Sequence, residues 1–206
     1  MARRATPEVN AGSMADIAFL LLIFFLVTTT IEKDSGIARQ LPPMEEIVDP
    51  PKIKEKNLFI VNVNRSDQLL VEEKLMELKD LRQAAIAFLD NGGAPAGSPE
   101  YCNYCKGQRN PDSSDNPDKA VISVQNDRLT SYKMYIAVQN ELVAAYNFLR
   151  DRESERLYGW KFTEISKAID EGSFKGNLEA TQEKLENIQK LFPLKLSEAE
   201  PKKSGQ

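Results

Sequence analysis

One run, Ile17–Val27 (IAFLLLIFFLV), is apolar without interruption, and no other stretch of this chain is as strongly apolar. Extended to Met14–Ile31 it holds 18 residues, with Asp16 as the single charge. At 1.5 Å rise per residue this predicts a helix of roughly 27 Å, just enough for a hydrocarbon core of about 30 Å. Two readings compete. The run is a membrane span, or it is the apolar region of a cleaved signal peptide with Arg3 and Arg4 as its basic start. Asp16 at the edge of the run favours the span. So does the ending Val27-Thr28-Thr29-Thr30-Ile31, which offers no small-x-small cleavage site. Arg3 and Arg4 on one flank balance Lys33 and Arg39 on the other, so charge does not orient the span. Long polar domains translocate largely regardless of charge, which places the short N-terminus in the cytoplasm and residues 32–206 outside it.

Beyond the run the pattern changes. Residues 32–56 carry Pro42, Pro43, Pro50 and Pro51, which block regular structure and predict an extended linker. Leu58–Val63 (LFIVNV) predicts a strand, Asn64–Gln68 a turn, and Leu69–Glu72 the second strand of a hairpin. Glu73–Asp90 predicts a helix with Leu78, Leu81, Ala85 and Phe88 on one stripe, stopped by Asn91-Gly92-Gly93. Ala120–Gln125 predicts another strand. A helix capped by Thr130 or Ser131 follows, with Met134, Val138, Leu142, Ala145 and Phe148 or Leu149 as its apolar stripe. Residues 150–190 read as charged and helical, with breaks at Gly159 and Gly172–Gly176. Leu191–Leu196 is the candidate closing strand, confined by Pro193 to an edge or a bulge. Glu198–Gln206 reads as a disordered tail.

Asp16 is the most informative residue. A carboxylate inside a membrane helix costs roughly 2.5–3.5 kcal/mol at the bilayer centre on insertion scales, so it usually faces a partner or a proton path. The residues alone leave a second explanation open. Ser13-Met14-Ala15-Asp16 matches a capping box, with Ser13 as the helix cap and Asp16 tying up free backbone N–H groups. On a helix Asp16 shares a face with Leu20, Ile23, Val27 and Thr30, so a polar partner for it must come from another chain.

Pro7-Glu8-Val9-Asn10, then Met14-Ala15-Asp16-Ile17, then the apolar run, resembles the N-terminal segment of the ExbD/TolR biopolymer-transport family. Leu41-Pro42 is similar to the family's short element after the helix. The chain departs from the family's usual Thr-Pro with Gly12-Ser13, which touches the helix start and not the acid. The resemblance implies that Asp16 carries protons in an inner-membrane motor, and that Leu41 and Pro42 belong to a segment that docks when the motor engages. It implies a homodimer inside an ExbB-like pentamer, acting on a TonB-like protein. It also implies that the strand–strand–helix–strand–helix order is a small periplasmic α+β domain.

The stretch 91–119 is an insert relative to short family members, rich in Gly, Pro, Asn and Asp, with Cys102-Asn103-Tyr104-Cys105 inside it. Three readings are open: a redox motif, a zinc site shared between chains, and a local disulfide that braces the loop. A redox pair belongs near a βαβ pattern rather than in a polar loop. Zinc needs about four ligands, and the chain has two Cys and no His. The absence of His also removes Ser-His and Cys-His dyads, and no phosphate-binding glycine loop is present. A formal charge of −4 argues against nucleic acid as a partner.

The expected protein is therefore not an enzyme. It is α+β: a cytoplasmic tail (1–13), a transmembrane helix (14–31), a linker (32–56), a periplasmic domain (57–198) with inserts at 91–119 and 150–190, and a tail (199–206). Its expected function is that of a proton-motor subunit energising TonB-dependent transport, with protons as coupling ion and no cofactor or metal. A TolR-like subunit maintaining the outer membrane, and a passive anchored binding module, are the alternatives.

Overall fold

Chain entry into the folded unit is marked by a single 3-10 turn, Glu55–Asn57, that leads directly into the central strand. The computed structural model describes residues 11–28 and 53–199. The chain divides into two units, Met1–Asp49 and Pro50–Gln206, each described by itself.

In the first unit, α1 covers Ala11–Thr28. Its described side chains include Met14, Ile17 and Phe19–Phe25, all exposed, with Asp16 as the one charged residue among them. At 18 residues it measures about 27 Å, and its first turn is Ala-Gly-Ser. Among the described residues no helix is long and apolar enough to cross a membrane. Thr29–Ile31, the end of the predicted span, lie outside the described residues.

The second unit is a five-stranded mixed sheet with helices. Its strands are β1 (Leu58–Val63), β2 (Leu69–Val71), β3 (Lys74–Met76), β4 (Val121–Asn126) and β5 (Leu196–Ala199). The helices are α2 (Leu78–Leu89), α3 (Tyr132–Tyr158), α4 (Phe162–Asp170) and α5 (Leu178–Leu191). The strand order is β3-β2-β1-β4-β5. β1, β4 and β5 run parallel, with Leu58 opposite Val121 and Ile122 opposite Leu196. β2 pairs antiparallel with β1, and β3 antiparallel with β2.

Alternation in β1 sends Phe59, Val61 and Val63 to the helix side, where they meet Leu81, Ala85, Val138, Leu142 and Leu149. A smaller cluster of Phe162, Leu185 and Ile188 packs α4 and α5. Ser131 caps α3, its hydroxyl accepting from the Met134 N–H at 3.2 Å. The predicted stripe of α3 is buried at Val138, Leu142, Ala145 and Leu149, whereas Phe148 is exposed.

Three expectations need correction. The helix predicted from Glu73 begins at Leu78, because Lys74–Met76 forms β3. Glu72 and Glu73 both have positive φ, 47° and 63°, and close a two-residue hairpin turn that usually calls for Asn-Gly. Leu191–Leu196 is not the closing strand. Leu191 ends α5, Phe192 is buried with its carbonyl held by Arg150, and the strand starts at Leu196. Pro193, which has no N–H to give a ladder, lies between them. Glu198 and Ala199, assigned to the tail, belong to β5 at the sheet edge.

Candidate functional site

α1 places Asp16 in its second turn, with an exposed side chain. The helix begins at Ala11, so Ser13 lies within the first turn rather than before it. An N-cap has non-helical backbone, and small Ala11 and Gly12 already continue the helix upstream of Ser13. Leu41 and Pro42 lie outside the described residues.

The insert between α2 and β4 is a built structure. Gly92, at φ +65°, turns the chain out of α2, and an added Cβ there would meet the Cys105 Cβ at 2.8 Å. Asn91 then organises the loop. Its amide donates to the carbonyls of Asn110 and Ser114 at 2.9 and 2.8 Å, and its carbonyl oxygen accepts from the Asn110 N–H at 3.0 Å. Gly93 and Ala94 pair with the carbonyls of Ser114 and Asp115. Cys102 and Cys105 form a disulfide with Cα atoms 5.5 Å apart. The pair is 2% and 5% exposed, and Arg109 donates to both cysteine carbonyls while lying over the Tyr101 ring. An oxidised, enclosed pair has no thiolate to offer as metal ligand or nucleophile. Among the described residues no group of His, Cys, Asp and Glu could hold a metal ion.

Contacts of Tyr104 and Asp115, and of Asp90 just ahead of the insert, tie this region to the rest of the unit. Tyr104, inside the disulfide loop, donates to the Leu191 carbonyl and meets Phe192 edge-on. Burial, with Asp118, Glu153 and Asp90 nearby, pushes its phenol up to about 12. Asp90, at the end of α2, receives two bonds from Arg152 of α3, at 2.6 and 2.8 Å. Arg152 and Arg156 both reach the fully buried Glu153. Asp115 faces the chain entry: Lys56 at 2.5 Å, Lys54 at 3.3 Å and the Asn57 amide at 3.0 Å. Burial would raise the Asp115 carboxyl, but the bonds from Lys56, Asn57 and Lys54 prevail and hold it below the ordinary carboxylate range.

An open groove of about 400 Å³ runs between α2, the start of β1 and the insert. Its floor is Leu58, Phe59, Ala84 and Phe88, and its rim is mixed, with Glu55, Lys56, Gln108 and Asp112.

Sequence reasoning singled out Asp16 and the cysteines but missed Asp115, Asp90 and Tyr104. Each acts through a partner 58 to 87 positions away. No local spacing signals such a contact.

None of the curated proteins compared with the chain matches it. The profile described as "Biopolymer transport protein ExbD/TolR" matches residues 2–149. That range takes in α1 with Asp16, the sheet through β4 and most of α3; α4, α5 and β5 lie beyond it. The chain belongs to the ExbD/TolR family of biopolymer-transport proteins.

Proposed function

We propose that this chain is the ExbD-like subunit of an inner-membrane motor that uses the proton gradient to energise TonB-dependent outer-membrane transport. The observation that carries the reading is Asp16 in a helix whose neighbouring described side chains are apolar on every side. Such a helix, read as the membrane anchor through residue 31, needs cover from lipid and partner helices, and its carboxylate needs a polar path.

A single helix encloses no proton path. A homodimer of this chain inside an ExbB-like pentamer would supply one. Protonation of Asp16 removes the penalty of facing an apolar wall, and its release to the cytoplasm restores the charge. One proton crossing 100 mV releases about 2.3 kcal/mol, enough to bias a step of the dimer against its ring. The second unit, exported to the periplasm, would hand the resulting movement to a TonB-like protein. Ser13 has a minor place in this scheme, as a first-turn residue. Leu41 and Pro42 would lie in the segment that conveys the movement.

Depleting the chain in its own cells tests the assignment. Loss of energy-dependent uptake through outer-membrane transporters, with an intact envelope, is the expected result. Leakage of periplasmic proteins with normal uptake would point instead to a TolR-like role.

A further inference from the structure

β1, β4 and β5 are parallel, so Asn57, Ala120 and Lys195 enter the sheet at the same end. The insert 91–119 covers that end. Asp115 takes the chain entry before β1, Asp118 accepts from Lys195 before β5 at 2.8 Å, and Tyr104 holds Leu191. At the entry the bonding is dense. Asn57 and Asp115 bond reciprocally, amide to carboxylate at 3.0 Å and backbone N–H to amide oxygen at 2.8 Å. Lys56 also donates to the Pro111 carbonyl and Lys54 to Glu100. Asp115 itself is only 2% exposed.

We propose that Asp115 is the anchor of a load-bearing clamp: the insert grips residues 54–57 so that a pull arriving from the linker is passed to the insert and α2, instead of peeling β1 from its first residue. The inference rests on the motor reading, because only a chain that conveys force along residues 32–52 needs such a grip. The mechanics follow from the geometry. β1 sits between β2 and β4, and a pull along its axis loads both hydrogen-bonded ladders together. An oblique pull breaks them one at a time, starting at Leu58. A charged grip just ahead of Leu58, buried at Asp115 and Asn57 with its two lysines nearer the surface, keeps that first bond from being the weakest point, since bonds to charged groups are the stronger ones. The clamp is itself fastened by Asn91 across the insert and by Arg152 on Asp90.

The test is single-molecule pulling of the full chain in detergent, in two geometries. In one, tags at the two chain ends send the load through residues 53–57. In the other, an azide-bearing side chain at Glu171 and the C-terminal tag leave the entry unloaded. Asp115→Asn is expected to shorten the lifetime at fixed force about tenfold in the first geometry and to leave the second nearly unchanged. Lys56→Met, which leaves the Asn57 bonds in place, is expected to do the same more weakly and serves if Asp115→Asn does not fold. Equal shortening in both geometries would reduce Asp115 to a general brace and overturn the clamp, as would no change in either. Uptake does not enter this readout, so failure of the clamp and failure of the motor reading are told apart.

Discussion

Tyr104 and Leu191 are 87 positions apart, yet the Tyr104 phenol donates a 2.9 Å hydrogen bond to the Leu191 carbonyl. The bond joins the disulfide loop to the end of α5, where the chain turns toward β5. Tyr104→Phe is expected to cost about 1 kcal/mol in urea denaturation of the full chain, the ordinary net worth of such a bond. Tyr104→Ala is expected to cost more, because the edge-on contact with Phe192 is lost as well.

Reducing the disulfide should destabilise the second unit modestly. Cys102 and Cys105 are separated by three positions, a loop so short that closing it contributes about 2 kcal/mol in the chain-entropy account. Thermal unfolding with and without a reductant measures this. A Cys102→Ser, Cys105→Ser variant should match the reduced protein and no longer respond to reductant.

Arg152→Met removes the two guanidinium bonds to an enclosed Asp90, leaving it the Lys106 N–H alone, and one of the two arginines on a fully buried Glu153. Leaving a buried charge without its partner costs about 3 kcal/mol or more. Adding Asp90→Asn to this variant should restore part of the loss, and a double-mutant cycle by denaturation checks it.

Acid should act on the second unit through two depressed carboxyls. Bonds from Lys56, Asn57 and Lys54 outweigh burial at Asp115, and the Ser131 hydroxyl and N–H lower Asp67. A carboxyl depressed in the folded state adds stability that is complete above its ordinary value of 3.8 and fades as pH falls toward the lower folded value. Stability should therefore be flat near neutral pH and fall below about pH 4. Asp115→Asn should be less stable at neutral pH and show a shallower acid slope, which denaturation across pH 2–7 would measure.

How much of this was legible depended on where the information sat along the chain. β1, its following turn, the start of β2, β4 and the Ser131 cap were readable because β-branched runs, turn residues and caps act over a few positions. β3 was not, because Glu72 and Glu73 carry the left-handed turn without the Asn-Gly signature. The closing strand was placed too early, because LFPLKL has the apolar content of a strand while Phe192 is used to plug the core. Asp16 stands out in the sequence by its contrast with the apolar run, and its proton-carrying role is the proposal that the measurement below tests. The Asp115 grip was not, because Lys54, Lys56 and Asn57 look like ordinary polar residues until the insert folds against them.

The central claim is that Asp16 carries protons, and Asp16→Asn in cells, with co-purification of the partner subunits, tests it most directly. Asn keeps the size and hydrogen-bonding capacity of the Asp16 side chain but cannot ionise. The account predicts that gradient-dependent uptake collapses while the complex still co-purifies. Normal uptake with normal assembly would contradict it, and would leave an anchored binding module in place of a motor subunit.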